Sequence, residues 1–123
     1  MFKRAIPVLH VSSSVDAEHY YCIGLGFRRD FAYRPHETKM DPCYLGLSRD
    51  GVILHVSSFP GDGNRSGSVV NVLVDDIDAL HTDLVARSIA IDLPPTDQTW
   101  GEREMYLRDP DGNQIRFTLD RAG

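Results

Sequence analysis

Four side chains in this sequence could bind or transform a small molecule if the fold brings them together. They are His55, Glu104, Tyr106 and Arg116. An imidazole, a carboxyl group and a phenol can each transfer a proton, so the first three could act as general acid and base. The guanidinium of Arg116 could hold an anionic or carbonyl group of a ligand, or it could pair with Glu104. His55 could equally be a hydrogen-bonded interior histidine.

His55 and Arg116 occupy equivalent positions of an internal repeat. The run from Asp111 to Arg116 (DGNQIR) has a weaker copy from Asp50 to His55 (DGVILH), and residues 11–17 resemble residues 74–79. A period near half the chain is too long for a solenoid and fits two fused modules. The repeat therefore predicts that His55 and Arg116 meet near a pseudo-twofold axis.

Each module is predicted to run strand, helix, strand, strand, strand. Module 1 covers about residues 1–60 and module 2 about residues 66–121 of a single domain, with a Gly-, Asp-, Asn- and Ser-rich linker between them. The predicted strands cover residues 5–11, 28–34, 44–49, 52–58, 69–74, 89–92, 103–108 and 114–119. Helices are predicted from Ser13 to about Gly24 and from Ile77 to Arg87. Residues 93–101, which include two prolines, are predicted to be a loop.

Side chains alternate between the two faces of a strand, and this separates an apolar face from a polar one. In the last strand Ile115, Phe117 and Leu119 are apolar, which leaves Arg116 on the opposite face. The same division places His10, His55, Glu104 and Tyr106 on that face. We expect an α+β fold in which two βαβββ modules form a curved, barrel-like mixed sheet with helices on its outer face. Its polar and aromatic concave face would form a cleft.

Trp100 precedes Gly101 in a loop, which exposes a large aromatic ring near the expected mouth of the cleft. Its π face could stack on a planar or cationic group, or the ring could seal the end of the barrel. The acidic and amide groups from Asp109 to Asn113 are expected to form a turn into the last strand, because Gly and Asn tolerate positive φ. Their role is therefore predicted to be structural.

The charge balance limits the expected classes of binding partner, and the cysteines indicate the expected cellular compartment. Thirteen Lys and Arg against 18 Asp and Glu give a net charge of −5, so no basic stripe is available for a nucleic-acid partner. A small or cationic ligand suits this balance better. Cys22 and Cys43 lie in unlike contexts and are expected to be free thiols. No apolar span or signal sequence is recognisable, so we expect no membrane partner and a cytoplasmic location.

Four segments carry a resemblance to a known family: residues 20–27 (YYCIGLGF), 74–77 (VDDI), 100–105 (WGEREM) and 109–113 (DPDGN). In these segments the chain resembles the vicinal oxygen chelate superfamily of glyoxalases, bleomycin-resistance proteins and extradiol dioxygenases. The resemblance spans nearly the whole chain and implies the paired-module fold.

Enzymes of this superfamily bind a divalent metal through four inward side chains, which the resemblance places at Ile6, His55, Val69 and Arg116. Isoleucine and valine have no donor atom and a guanidinium repels a cation, so only His55 could bind a metal. Arg116 stands where these enzymes usually have glutamate. We therefore expect no bound metal or other cofactor, and without a Lewis acid the shared enzyme chemistry is lost.

With this departure the chain looks like the bleomycin-resistance branch, whose members bind a drug stoichiometrically without reacting it. The resemblance implies a metal-free small-molecule binding protein that gives antibiotic resistance by sequestering a bleomycin-like, cationic drug. The ligand-binding residues would be His10, His55, Trp100, Glu104, Tyr106 and Arg116. Members of this branch are homodimers whose first strand can exchange between subunits, and Pro7 suits such an edge or hinge. The alternatives are a glyoxalase-superfamily enzyme, lyase, isomerase or dioxygenase-like, and a regulatory module with a vestigial cleft.

Overall fold

The computed structural model describes residues 1–121, which form two βαβββ modules. Module 1 consists of β1 (Val8–His10), α1 (Ser14–Glu18), a π-helical segment (His19–Gly24), β2 (Arg28–Tyr33), β3 (Tyr44–Arg49) and β4 (Val52–Ser57). Module 2 consists of β5 (Val69–Val74), α2 (Ile77–Ala86), β6 (Leu93–Asp97), β7 (Arg103–Arg108) and β8 (Gln114–Leu119). The α+β class and the repeated module are confirmed.

The strands of residues 1–121 form two four-stranded mixed sheets, in the orders β1-β4-β3-β2 and β5-β8-β7-β6. In each sheet the first strand of the module runs parallel to the last one, and the other neighbours are antiparallel. The parallel pairs put Val8 beside His55 and Asn71 beside Arg116. The expected barrel-like sheet therefore takes the form of two curved sheets that do not close into a barrel.

Each helix packs on the apolar face of its own sheet. Helix α1 contacts β3 and β4, and α2 contacts β6, β7 and β8. The buried side chains form one hydrophobic cluster to which both modules contribute, including Leu54, Val56, Met105 and Ile115. Their alternation with partly exposed residues matches the predicted division of faces. As a result the face away from the helices carries the polar and aromatic side chains.

The helix starts follow the predicted capping pattern. The hydroxyl of Ser13 accepts a hydrogen bond from Asp16 N at 3.2 Å, and Asp76 caps α2 by accepting from Ala79 N at 3.0 Å. The first helix ends at Gly24 as predicted, but its second half is π-helical, with Leu25 N donating to Tyr20 O at 2.9 Å. Within residues 1–121, neither helix has the length and apolar character needed to cross a bilayer.

Strand β1 is shorter than predicted because of Pro7. It covers Val8–His10 rather than residues 5–11, since proline has no N–H to donate to a ladder. Pro7 contributes only its carbonyl, which accepts from His55 N at 3.0 Å. Residues 1–6 are exposed, so Ile6 lies before the strand rather than within it.

The prediction was wrong between residues 89 and 101. Strand β6 covers Leu93–Asp97, where a loop was expected, and residues 89–92 form no strand. The two prolines are tolerated because β6 is an edge strand, and its pairing with β7 shifts register between Leu93 and Thr96. Ile89 and Ile91 pack against the core from the irregular segment instead.

Both cysteines are free thiols, as predicted. Cys22 lies in the π-helical segment and Cys43 directly before β3. Burial raises the pKa of each thiol, which favours the protonated form at neutral pH.

Candidate ligand-binding site

Arg116 lies on the open face of the module 2 sheet, with its guanidinium over the ring of Tyr106. The guanidinium carbon is 4.7 Å from the ring centroid, a cation–π contact between direct partners of β7 and β8. Its Nη2 donates to Gln114 Oε1 at 2.9 Å. Its Nε is buried and has no hydrogen-bond partner in the described part of the chain. Arg116 therefore keeps a donor for an acceptor that the chain does not supply.

Glu104 does not pair with Arg116. None of the ion pairs in residues 1–121 includes Arg116, and Glu104 is only 5% exposed. Its Oε1 accepts a hydrogen bond from the Tyr106 hydroxyl at 2.7 Å, and its Oε2 lies 3.1 Å from Thr118 Oγ1. The hydrogen bond to Glu104 is the main cause of the raised pKa of Tyr106. Glu104 thus fixes the ring on which Arg116 rests.

The corresponding face of module 1 carries an aromatic cluster around His55. The Tyr44 hydroxyl lies 2.8 Å from His55 Nδ1. The ring of Phe31 is parallel to that of Tyr44, at 6.2 Å and 6°, and meets His55 edge-on at 5.5 Å. Nearby, Tyr33 and Phe59 form a second parallel pair at 6.2 Å. Phe31 remains 46% exposed and Tyr33 57%, so the cluster presents flat apolar surface to solvent.

Gly46 makes the position of Phe31 possible. It is the cross-strand partner of Phe31 in β2 and of His55 in β4. A Cβ built on Gly46 would overlap the Phe31 ring, with Cδ1 at 2.6 Å. Any side chain at this position would therefore displace the ring from its place beside His55.

His55 is a neutral hydrogen-bonding group at neutral pH. Burial lowers its pKa below the ordinary value of 6.5. Tyr44 engages Nδ1, and Nε2 has no hydrogen bond within residues 1–121. His55 is therefore hydrogen-bonded within the chain through Nδ1, while its Nε2 can still bind a ligand.

His55 and Arg116 have separate contact partners in the described structure. His55 contacts Phe31 and Tyr44 in the sheet of module 1, and the contacts of Arg116 lie in the sheet of module 2. No hydrogen bond, ion pair or ring contact joins the two residues in the described structure. The two equivalent positions of the repeat lie on different sheets, and within residues 1–121 no strand of one sheet pairs with a strand of the other. The acid–base set of His55, Tyr106 and Glu104 is divided in the same way.

His10 is engaged by the chain itself. Its Nδ1 lies 3.0 Å from Asp62 O, and the Asp62 carboxylate accepts a hydrogen bond from Ser57 Oγ at 2.8 Å. A Cβ on Gly63 would come within 2.6 Å of the backbone nitrogen of His10. His10 therefore holds the linker between the modules against β1.

Trp100 lies at the tip of the hairpin between β6 and β7. The tip is closed by hydrogen bonds from Gln98 N to Glu102 O at 2.7 Å and from Gly101 N to Gln98 O at 3.0 Å. The indole is 62% exposed, so it does not seal the core. It is an aromatic surface carried by a hairpin, free to contact a ligand or a partner.

The metal positions of the family do not fit a divalent ion in this chain. Ile6 lies in the exposed segment before β1, Val69 lies on β5, and neither has a donor atom. Arg116 adds a positive charge. Among residues 1–121 there is no group of three or more His, Cys, Asp or Glu side chains placed to hold a metal ion.

Asp109 and Asn113 join the two modules. Asp109 accepts hydrogen bonds from the Tyr21 hydroxyl at 2.7 Å and from Asn113 Nδ2 at 2.9 Å. Asn113 Nδ2 also donates to His10 O at 2.8 Å, and Asn113 Oδ1 accepts from Ser68 N at 2.8 Å. Burial, and then Asp109, raise the pKa of Tyr21, which keeps the phenol a donor. The turn thus has the predicted structural role, because its side chains connect module 2 with module 1 and with the linker.

A family model described as glyoxalase superfamily protein matches residues 1–123. The chain belongs to the glyoxalase superfamily. Among curated proteins the comparison finds no match.

Several solved structures share the fold. The bleomycin-binding protein from the bleomycin producer Streptomyces verticillus, complexed with copper(II)-bleomycin, is 28% identical, with a TM-score of 0.75 and 98% of each chain covered. TioX from Micromonospora sp. ML1 is 23% identical, with a TM-score of 0.77 over 96% of this chain and 98% of its own. Lactoylglutathione lyase from Agrobacterium tumefaciens is 17% identical, with a TM-score of 0.74 over 95% and 92%.

Sequence reasoning did not include Phe31, Tyr44 or Gly46 among the candidate ligand-binding residues, although all three surround His55. The signal was present but short: Tyr44 and Gly46 alternate in one strand, which puts both on one face. Their contact with Phe31 and His55 depends on the pairing of β2, β3 and β4. That register cannot be read from either strand alone.

Proposed function

We propose that this superfamily member is a small-molecule binding protein that sequesters a bleomycin-type antibiotic without reacting it. The observation that carries the proposal is the guanidinium of Arg116, which lies over Tyr106, has a buried Nε without a hydrogen-bond partner and forms no ion pair within residues 1–121. A partly buried cation without a carboxylate partner is costly. A ligand carbonyl, amide or carboxylate group would satisfy this donor at the moment of binding.

The aromatic cluster of module 1 would supply the second half of the recognition. The half-exposed rings of Phe31 and Tyr33 suit a flat heteroaromatic group, and His55 Nε2 could bind a polar atom beside it. Trp100, on its exposed hairpin, would cover the same ligand. A ligand of this kind needs both a planar part and a hydrogen-bond acceptor, and the net charge of −5 suits a cation elsewhere in it.

The residues at the family metal positions and the placement of the candidate proton-transfer groups fit sequestration of a ligand better than catalysis. Three of the four family metal positions carry Ile6, Val69 and Arg116, and the candidate proton-transfer groups are divided between two sheets. The 28% identical Streptomyces verticillus protein, described as bleomycin-binding, supports the same choice. The free thiols support a reducing, cytoplasmic location.

We also propose that a second copy of the chain completes the groove. The face that bears Arg116 and the face that bears His55 belong to separate sheets, and each is open. Val69 and Leu73 on the edge strand β5 are 60% and 57% exposed, and Phe31 and Tyr33 on β2 are similarly open. Exposed apolar side chains on sheet edges and faces are typical of interfaces. A homodimer would bury Val69 and Leu73, and it would bring module 1 of one copy, with Phe31 and Tyr33 facing the shared groove, to module 2 of the other.

The proposal is tested by calorimetric titration with metal-free bleomycin and, separately, with copper(II)-bleomycin. We expect saturable binding of about one drug per chain. Loss of a hydrogen bond to a charged group lowers affinity about tenfold or more, so Arg116→Ala should weaken binding by at least that factor. Tyr106→Phe should weaken it less, because the ring remains while its hydroxyl anchor is lost.

Arg65→Ala is the matched control, since Arg65 is an exposed arginine of the linker and its removal changes the net charge equally. Equal weakening by Arg65→Ala would mean that general electrostatic attraction, and not the Arg116 site, binds the drug. Absence of heat at several temperatures would exclude bleomycin as the ligand. Light scattering at micromolar concentration tests the dimer, and a strictly monomeric protein would contradict the shared groove.

A further inference from the structure

A cleft of about 770 Å³ lies between the two modules, away from the residues of the proposed drug groove. Module 1 contributes Phe27 and the turn between β3 and β4, and module 2 contributes the end of β5, helix α2 and β8. The cleft floor is apolar: Phe27 and Phe117 are 8% and 6% exposed, and Val72 and Leu80 are half-buried. A volume of this size is in the range that holds a small organic molecule.

The rim of the cleft is strongly acidic. Its charged side chains are Asp50, Asp75, Asp76, Asp83, Asp120, Arg49 and Arg87. Five carboxylates against two guanidinium groups leave three net negative charges, in a chain whose total is −5. Both arginines are also bound to backbone carbonyls at the end of the π-helical segment, Arg49 to Leu25 O at 2.7 Å and Arg87 to Ile23 O at 3.2 Å.

We propose that the inter-module cleft is a second binding site that takes a small hydrophobic cation, with an apolar ring system on the floor and an amine or amidine at the acidic rim. An apolar floor alone would accept neutral molecules equally well, and an acidic surface alone would attract any cation. The combination selects molecules that have both features. Low-dielectric walls strengthen the attraction of the carboxylates for a cation held between them.

The ligand-contacting residues of the proposed drug groove lie outside this cleft, which shares only Leu73 with the proposed dimer contact. None of His55, Tyr106 and Arg116 lines the cleft. The helix α2 and the turn at Asp50, which form its walls, do not carry the aromatic cluster. Substitutions in the cleft can therefore be tested without altering the drug groove.

The experiment is a fluorescence titration of the whole protein with 9-aminoacridine, a flat cation at neutral pH, and with acridine-9-carboxylate, an anion with the same ring system. The cation should bind saturably at about one per chain and at least about tenfold more tightly than the anion. Its affinity should fall as ionic strength rises, because the carboxylates of the rim are open to solvent.

Two variants locate the bound cation. Asp50→Asn with Asp75→Asn removes two charges isosterically, and Asn tolerates the positive φ of 51° at position 50. Affinity for the cation should fall about fivefold, as expected for two unit charges near a solvated cleft. Ala79→Trp, on the exposed surface of α2, should fill the cleft and abolish binding.

Glu37→Gln with Glu102→Gln is the control that changes the net charge equally outside the cleft. An equal loss of affinity in this control, or unchanged binding in Ala79→Trp, would overturn the site. Loss of 9-aminoacridine binding in Arg116→Ala would show that the dye occupies the drug groove instead. No saturable binding to the native protein would also overturn the proposal, including the case in which a second copy covers the cleft. Bleomycin binding that persists in Ala79→Trp would leave the proposed drug groove standing in every case.

Discussion

Replacement of Gly46 by alanine should damage ligand binding more than it damages the fold. The new methyl group overlaps the ring of Phe31, which is 46% exposed and can swing into solvent. The swing removes two aromatic contacts, with Tyr44 and with His55. Such contacts are worth about 0.5–1.5 kcal/mol each, so the loss is about 1–3 kcal/mol.

Alanine is favoured over glycine in a strand by about 0.5–1 kcal/mol, which offsets part of this loss. The net fall in the free energy of unfolding is therefore about 0–2.5 kcal/mol, or at most several degrees in melting temperature. The proposed drug groove, in contrast, would lose the Phe31 ring that we place against the ligand, so affinity for bleomycin should fall about two- to tenfold.

The assay is urea unfolding together with calorimetric titration of Gly46→Ala, Phe31→Ala and the double variant. If Gly46 acts only through the Phe31 ring, the double variant should bind like Phe31→Ala, since the second change has nothing left to displace. Additive losses would refute this reasoning. Wild-type affinity in both single variants would remove the aromatic cluster from the ligand site.

Three further substitutions probe other parts of the structure. Asn113→Ala should lower the free energy of unfolding by about 2–3 kcal/mol in urea, since it leaves buried partners unsatisfied, whereas Asn64→Ala in the exposed linker should change it little. His55→Gln should flatten the pH dependence of stability. Because the pKa of His55 is lowered in the folded protein, the unfolded chain binds the proton at a higher pH than the native protein does. The free energy of unfolding of the wild type therefore falls as the pH drops through 6.5 toward the folded-state pKa. The free energy of unfolding is measured at pH 7.5 and 5.5, with His36→Gln as the control. An equal change between these pH values in His55→Gln and in the wild type would contradict this prediction. Trp100→Ala should weaken bleomycin binding at unchanged melting temperature, and unchanged affinity would remove the hairpin tip from the groove.

The sequence predicts the fold where local patterns and tertiary packing agree. The alternation in β7 and β8 correctly separates the buried Met105 and Ile115 from the open Tyr106 and Arg116. It fails at β6, because two prolines argue against a strand and only the edge position and the shifted register make one possible. A strand is therefore predicted correctly where its alternation of apolar and polar residues is clear, and it is missed where the sequence contains prolines.

The candidate site is less predictable because its contacts join distant parts of the chain. The residue types of His55, Tyr106 and Arg116 suggest ligand binding, but the sequence cannot show that Glu104 is held by Thr118, 14 residues away, instead of by Arg116. The role of His10 in holding the linker likewise follows only from its contact with Asp62, 52 residues later in the chain. Such assignments require the sheet register and the path of the linker.

The two copies of the Asp-Gly turn have acquired different tasks, and this makes the duplicated halves mutually dependent. In module 1 the side chain of Asp50 is 87% exposed and its turn ends a simple hairpin. In module 2 the same turn lies beside Asn113, which is fully buried and donates to the backbone of His10 in the other module. A separated second half would leave this amide and Asp109 without their partners from module 1, at a cost of about 1–3 kcal/mol for each unsatisfied group. The chain should accordingly melt in a single cooperative transition, although it consists of two similar modules.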